Sequence, residues 1–243
     1  MILFMLRCDL HVHTNFSRDG ESSIGDILAR AKAARLDAIA ITDHDTCDGV
    51  AAAERAGSGL IIIPGVEVST KQGHLIVLGV REPLPPGRHV METIRLARSL
   101  GGVVVLPHPY HMWRHGVARR VPESIGAVDA IEVFNSRYIV GSANRKAARV
   151  ARKVKITPVG GSDAHNARFI GFGYTLVPAE PEVSSILTAI REGRTVAGGR
   201  MTPLRTSASH SRRTRKRSPM GRKKKNIAFT TAITWSVTRL WPK

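Results

Sequence analysis

Four short motifs in this chain, each rich in imidazole or carboxylate groups, are placed so that their side chains would meet at one metal site. They are Asp9-Leu-His11-Val-His13, Thr42-Asp-His44-Asp45, Pro64-Gly-Val-Glu67 and Gly161-Ser-Asp163-Ala-His165. In a strand, residues two apart share a face, so each His-x-His or Asp-x-His pair would point the same way. Imidazole together with carboxylate favours Zn²⁺, Mn²⁺ or Fe²⁺ over Ca²⁺. The motifs therefore predict a centre for divalent metals.

The motifs come directly after short apolar runs. Residues 38–41, 60–63 and 103–106 are β-branched or otherwise apolar, which is typical of strands buried on both faces. Helical patterns separate several of these runs. One of them begins at Ser22 or Ser23, and the others cover residues 93–100, 143–154 and 183–191. About seven such strand–helix units predict an α/β barrel of seven or eight units, with the polar residues at the carboxyl ends of its strands.

Charge is distributed very unevenly along the chain. The formal net charge is +18, and residues 200–243 contain thirteen Lys or Arg and no acidic residue. We therefore divide the chain into a catalytic domain, residues 1–202, and a basic, disordered tail, residues 203–243. The tail could bind nucleic acid without sequence preference, or it could only increase solubility. The different composition of residues 227–243 also fits a poorly folded or misread segment.

The rest of the composition restricts the cellular setting. No stretch is long and apolar enough to span a bilayer, so no membrane association is expected. Cys8 and Cys47 are the two cysteines of the chain, and one possible pair does not make a disulfide framework. A reducing cytoplasm is the expected location.

Taken together, the motifs resemble the PHP (polymerase and histidinol phosphatase) family, in particular its small stand-alone phosphoesterases. The resemblance covers roughly residues 6 to 200, and the combination of motifs is specific although no single one is. It implies a distorted (β/α)7 barrel with two or three divalent metal ions, Mn²⁺, Zn²⁺ or Fe²⁺, at the carboxyl ends of the strands. The metal ligands that it implies are His11, His13, Asp19, His44, Glu67, His74, His108, Asp163 and His165.

Some of these ligands would not be chosen from the sequence pattern alone. His74 begins an apolar run instead of ending one, which is more typical of a surface histidine. Asp19 would otherwise be an ordinary turn residue. His108 lies between two prolines, which restrict its backbone. The resemblance is what assigns Asp19 and His74 to the metal site.

The chemistry that we expect is hydrolysis of a phosphomonoester, with metal-activated hydroxide attacking phosphorus. The substrate would be a nucleotide or the 5′ end of a short oligonucleotide, bound by Arg137 and Asn135. Asp43, Asp163 or a water molecule would protonate the leaving group, and Asp43 and Asp45 could orient His44. His111 and His115 are candidates for the pocket rim, whereas His89 and His210 are expected at the surface. A basic loop with Arg114, Arg119 and Arg120 could guide a phosphorylated ligand or simply be solvated.

Three alternatives remain open on the sequence. One is a small-molecule phosphatase of the histidinol-phosphate type. Another is a non-catalytic PHP module that binds nucleic acid and has only a structural metal site. A metal-dependent amidohydrolase is the weakest of the three, because no Lys follows a strand where a carboxylated bridging ligand would be needed. The oligomeric state is not indicated by the sequence.

Overall fold

The computed structural model describes residues 4–111, 116–138 and 141–203. Its strands are β1 (Phe4–Val12), β2 (Ala38–Ile41), β3 (Ile61–Ser69), β4 (His74–Leu78), β5 (Val103–Leu106), β6 (Ala130–Asn135), β7 (Thr157–Gly161), β8 (Gly173–Ala179) and β9 (Val196–Gly199). Its α-helices are α1 (Ile24–Ala33), α2 (Asp48–Arg55), α3 (Val90–Ser99), α4 (Ser142–Val154) and α5 (Val183–Arg191). Three 3₁₀ turns cover Val117–Arg119, Pro122–Ala127 and Ala167–Phe169.

Strands β1 to β7 follow one another in sequence order along one sheet, and β8 and β9 extend it beyond β1. The sheet curves until the residues that follow β7 meet the end of β1. There the amide of His13 donates to the carbonyl of Ala164 at 2.9 Å, and the amide of Asp163 donates to the carbonyl of His11 at 2.8 Å. These bonds nearly close a seven-stranded barrel, and the predicted distorted α/β barrel is confirmed.

The sheet is mixed, which departs from a regular strand–helix repeat. Strands β1, β2 and β3 are parallel, as are β5, β6 and β7, whereas β4 is antiparallel to both of its neighbours. A tight turn at residues 70–73 joins β3 to β4, since the amide of Thr70 donates to the carbonyl of Gly73 at 2.8 Å. A connection this short can only join antiparallel strands. The helical patterns predicted between several of the strands therefore have no counterpart between β3 and β4.

Both faces of the central strands are buried, which explains their continuous apolar sequences. One face packs against α1 to α4, where Ile27, Val50 and Ile94 contribute to a single apolar cluster. The opposite face packs against α5 through Ile186 and Ile190. The polar motifs thus lie at the ends of strands that are closely packed on both faces.

The helix boundaries largely follow the local sequence. Ser23 caps α1, because its Oγ accepts a hydrogen bond from the amide of Asp26 at 3.2 Å. Helix α3 begins at Val90, three residues before the predicted start, and the imidazole of His89 accepts from the amide of Met91 at 3.3 Å. His89, expected to be a plain surface residue, is thus a helix cap. Helix α2 was missed; it is only eight residues long and its second residue is Gly49, a poor helix former.

The predicted tail, residues 203–243, lies outside the described residues except for Pro203, so its proposed disorder stays a prediction. In the part of the chain that the structure covers, no helix has the length and apolar character needed to cross a bilayer.

Candidate metal centre

The nine predicted ligands lie together at one end of the barrel. They form four overlapping groups, within each of which the candidate ligand atoms lie within 4.8 Å of one another. The groups are His13, Asp19, His44 and His165; His11, His13 and Asp163; His11, Glu67 and His108; and His44, Glu67 and His74. The structure therefore brings together every residue of the predicted set.

Strand β1 supplies the first pair. The Nε2 atoms of His11 and His13 lie 3.1 Å apart, and both rings are buried. The two rings share a side of β1 as predicted, and Val12 between them packs in the apolar cluster behind the strand. Two ring nitrogens that face one another in a buried site are arranged to share a cation.

Glu67 is the centre of the cluster. Its Oε2 lies 3.2 Å from Nε2 of His11 and 3.1 Å from Nε2 of His13, and its Oε1 lies 3.0 Å from Nε2 of His108. Burial alone would raise the pKa of this carboxyl group, but the surrounding imidazoles, His44 foremost, hold it well below its usual value. A buried carboxylate whose two oxygens approach different imidazoles could serve as a metal ligand through either oxygen.

Asp19 and His165 close the opposite side. Oδ2 of Asp19 lies 2.9 Å from Nε2 of His165 and 3.6 Å from Nε2 of His44. The turn that carries Asp19 folds back over the end of β1, and a Cβ at Gly20 would collide with the carbonyl of Thr14. Burial would raise the pKa of Asp19, but hydrogen bonds with His165 and His44 hold it far below the usual range.

Asp163 and Arg137 occupy the edge of the cluster. Nη1 of Arg137 donates to Oδ1 of Asp163 at 3.0 Å and lies 2.7 Å from Nδ1 of His165. Asn135 donates from its Nδ2 to Oδ2 of Asp163 at 3.2 Å. Asp163 adopts a φ of 53°, and His108 a φ of 30°. Left-handed backbone is uncommon for residues other than glycine, and it often marks functional sites.

The donor set fits divalent cations. Burial lowers the pKa of His13 and of His165, so both rings favour the neutral form that binds metals. The Nδ1 atoms of His13, His44 and His108 are buried, and they have no hydrogen-bond partner among the described residues. The ring nitrogens that these three residues direct at the cluster are their Nε2 atoms, which approach Glu67 or Asp19. Six imidazoles and three carboxylates that converge in this way suit Zn²⁺, Mn²⁺ or Fe²⁺.

Glu132 belongs to this site although the sequence did not single it out. It lies in β6 and is 2% exposed. Its Oε1 lies 3.1 Å from Nδ1 of His11, and its Oε2 accepts from the amide of His108 at 2.7 Å and from Asn135 at 2.8 Å. Glu132 therefore orients two candidate ligands from behind. The signal was a lone acid inside an otherwise apolar strand.

Asp43, predicted as a proton donor, is engaged elsewhere. Its Oδ1 accepts from the amide of Thr14 at 2.6 Å, and its Oδ2 accepts from the hydroxyl of Thr14 at 2.7 Å. Asp45 accepts from the amide of Ser69 at 2.7 Å. Both acids tie the loop after β2 to its neighbours, and the role expected for them in orienting His44 stays a prediction. A proton-transfer role for Asp43 stays a prediction.

The predicted rim is only partly described. His111 stacks on Tyr138 with ring centroids 5.1 Å apart, and Arg120 donates to the carbonyl of Gln72 at 3.3 Å. Arg119 is exposed. Arg114 and His115 lie outside the described residues, as does His210.

Comparison with known families gives two matches. The PHP domain model matches residues 9–112, and the PHP-associated model matches residues 141–195. Together they contain all nine residues of the cluster.

Three relatives illustrate the similarity. An uncharacterised protein of Methanocaldococcus jannaschii is 30% identical over 151 residues, which are 57% of this chain and 87% of the relative. A phosphoribosyl 1,2-cyclic phosphate 1,2-diphosphodiesterase of Eggerthella lenta is 31% identical over 114 residues, covering 44% of this chain and 40% of the relative. The 5′-3′ exoribonuclease Rnm of Salmonella typhimurium is 46% identical over 66 residues, covering 26% of this chain and 22% of the relative. The chain thus spans less than half the length of these two relatives with named activities.

A solved structure agrees in fold. It is a two-domain protein from Bacteroides vulgatus containing a predicted PHP-like metal-dependent phosphoesterase. The TM-score is 0.64 at 21% identity, over 82% of this chain and 66% of that one. With the barrel, the clustered motifs and the two family matches in agreement, this chain belongs to the PHP family.

Proposed function

We propose that the protein is a metal-dependent hydrolase of phosphoric ester bonds that acts on a nucleotide or on the 5′ end of a short oligonucleotide. The proposal rests chiefly on one observation, the convergence of the nine candidate ligands at buried positions around Glu67. The relatives named above as a phosphodiesterase and an exoribonuclease support this class of reaction.

The residues themselves would provide binding and orientation. The nine clustered side chains would hold two or three ions, Mn²⁺, Zn²⁺ or Fe²⁺. When bound, such ions lower the pKa of a coordinated water and polarise phosphoryl oxygens. Glu132 fixes the ring of His11, and Asn135 fixes the carboxylate of Asp163. Both reduce the motion of the ligands that face the substrate.

Arg137 is the substrate-binding residue in this proposal. Its side chain is only 16% exposed and lies at the edge of the cluster, with Nη1 directed at Asp163. A guanidinium offers several donors in one plane, and this geometry suits a phosphate group. The same Nη1 contacts His165, so the guanidinium could contact both a metal-ligand residue and a phosphate oxygen of the substrate.

Proton delivery to the leaving group is assigned to the edge of the cluster. Asp163 is the better placed of the two predicted acids, because its carboxylate belongs to the cluster and borders Arg137, whereas Asp43 bonds to Thr14 and belongs to none of the four groups of candidate ligands. A cytoplasmic location completes the proposal, and it is consistent with two free, buried cysteines.

The test is hydrolysis by metal-stripped protein that has been reloaded with Mn²⁺. The substrates are an aryl phosphate and a 5′-phosphorylated oligonucleotide. We expect turnover that requires Mn²⁺ and that falls to background in a His11→Ala/His13→Ala variant. His89→Asn is the matched control, since Asn also caps helices and His89 lies outside the cluster. Metal-loaded protein that hydrolyses neither substrate would refute the proposal and favour the non-catalytic binding module.

A further inference from the structure

A second concave surface lies on the outside of the barrel, between α1 and the β8–β9 extension. It encloses about 400 Å³. We call it the outer cavity, and its lining includes Arg7, Arg30, Phe172, Tyr174 and Arg200. None of its lining residues belongs to the metal cluster. Arg7 precedes His11 by four strand residues, so the two sites are about 13 Å apart along β1.

The outer cavity is strongly cationic. Of the residues that the structure describes, three arginines line it and no acidic residue does. Within the described ranges, none of the three arginines forms an ion pair, although Arg81, Arg98 and Arg194 do so elsewhere on the surface. The Nε of Arg7 is buried and has no hydrogen-bond partner among the described residues. Unpaired guanidiniums around one concavity favour an anionic ligand.

Aromatic rings lie beside two of these charges. The guanidinium of Arg7 is 4.0 Å from the ring centroid of Tyr174, and that of Arg200 is 4.0 Å from the ring centroid of Phe172. Stacking holds each guanidinium plane in place and leaves its outer face and edges for a ligand. Alternating charge and flat apolar surface suits phosphate and base together, which is the recognition chemistry of single-stranded nucleic acid.

The backbone of the cavity is fixed. The amide of Arg200 donates to the carbonyl of Phe172 at 2.6 Å, which joins the end of β9 to the segment before β8. Gly171, with a φ of 77°, donates its amide to Oδ2 of Asp9 at 2.9 Å. A site whose parts are already held in place loses less entropy when it binds a ligand.

The positive charge of the sequence that follows the cavity indicates that the ligand is an extended polyanion. Residues 204–243 follow Arg200 closely, and they contain twelve Lys or Arg and no acidic residue. A second run of positive charge cannot be attracted to the cavity, but both can contact one extended polyanion. We propose that the outer cavity binds a nucleotide unit of a single-stranded nucleic acid. This goes beyond the proposed hydrolysis, because binding here requires neither turnover nor metal.

The first test measures affinity of the full chain, loaded with Mn²⁺, for a fluorescent 12-nucleotide RNA with hydrolysis-resistant phosphorothioate linkages. Arg30→Gln/Arg200→Gln is compared with Arg55→Gln/Arg152→Gln, which removes equal charge from exposed positions outside the cavity. Both keep the basic tail. We expect the cavity variant to bind about tenfold more weakly than the control. The slope of log K against log salt concentration should be smaller in magnitude by about 1.4, which corresponds to two lost phosphate contacts. Equal affinities and equal salt dependence in the two variants would refute RNA binding at the outer cavity.

The second test locates the RNA directly. An RNA with 4-thiouridine is crosslinked to the wild-type chain by light, and the protein is digested with trypsin. Residues 169–191 contain no internal Lys or Arg and include both aromatic rings of the cavity. We expect crosslinks in this peptide, whereas crosslinks confined to residues after 204 would overturn the proposal. Either result is independent of hydrolysis, so a failed activity assay would refute the phosphoesterase and not this site.

Discussion

Nδ1 of His74 lies 3.1 Å from Oε1 of Glu67, because the two residues come from neighbouring antiparallel strands. Ser69 pairs directly with His74, and Glu67 pairs with Ile76, so the two side chains are diagonal neighbours on one face. The start of β4 therefore reaches the same edge of the sheet as the carboxyl end of β3. A histidine that begins a strand can thus join ligands that end strands.

Glu132 should control metal affinity without being a ligand of the predicted set. In Glu132→Gln, the side chain keeps its size but loses the charge that orients His11 and accepts from the amide of His108. We expect metal affinity to fall by roughly 10- to 100-fold. Competition with a chromophoric chelator measures it. Glu123→Gln, in an exposed 3₁₀ turn, is the control, and equal affinities in both variants would refute the orienting role.

Gly161 should tolerate no side chain. A Cβ there would lie 2.5 Å from the Cβ of His11 and 2.9 Å from Oε1 of Glu132. We expect Gly161→Ala to displace His11 and to lower both metal affinity and the melting temperature, since overpacking typically costs about 1–3 kcal/mol. Gly126→Ala is the matched control, because a Cβ there meets nothing within 4 Å. Calorimetry that shows no difference between the two variants would contradict this packing argument.

Removal of metal should lower thermal stability. Ions that bind the folded cluster but not the unfolded chain stabilise the protein by about 2.7 kcal/mol at a hundredfold excess over Kd. For a domain of this size, that corresponds to a shift of roughly 5–10 °C. Melting curves with EDTA and with Mn²⁺ measure the shift. Because the ligands lie in the cluster, His13→Ala should abolish the shift and His89→Asn should keep it, and a shift that persists in His13→Ala would place the ions elsewhere.

Arg137 should affect substrate binding more than metal binding. Arg137→Gln removes the guanidinium beside Asp163 while the nine candidate ligands remain. If Arg137 contacts the phosphate, KM should rise about tenfold or more, because a charge-assisted hydrogen bond contributes roughly 1.5–3 kcal/mol. Metal affinity should change much less. Arg149→Gln, exposed on α4, is the control. A loss of metal affinity with unchanged KM would assign Arg137 to the metal site alone.

Cys47 should resist alkylation in the folded protein. Burial, and then the nearby carboxylates of Asp48 and Asp43, raise the pKa of its thiol to about 11. At pH 8 about 0.1% of the thiol is then ionised, compared with about a quarter at an ordinary pKa near 8.5, so labelling should be roughly two hundred times slower. The rate should rise with pH up to about 11 and become normal in urea. Rapid labelling of the native protein at pH 8, mapped to this cysteine, would contradict the raised pKa.

The sequence predicts most of the candidate site because each motif follows a strand whose apolar run is easy to identify. His11 and His13 are placed by strand periodicity, and their rings do converge. Asp19 and His74 are different, because a turn and an antiparallel strand bring them in, and neither can be read from local periodicity. For these two residues the family resemblance supplied what local physics could not.

The features that the sequence analysis missed depend mostly on contacts between residues that are far apart in the chain. Glu132 looks like one acid in a buried strand, and only the barrel places it behind both His11 and His108. The outer cavity combines Arg7, from the first strand, with Arg200, which directly follows the last strand. No window of sequence contains both. Helix α2 was missed for a different reason, since it has only eight residues and a helix this short depends on tertiary packing.

The closure of the barrel has a consequence for how the protein reaches its native state. His11 lies in the first strand and His13 just after it, whereas Asp163 and His165 come some 150 residues later. Hydrogen bonds from His13 to Ala164 and from Asp163 to His11 join the two ends. Contacts so distant in sequence form slowly, because a long loop must close first. We therefore expect the complete cluster to form late in folding, and a nascent chain that has not yet emerged as far as His165 lacks part of it.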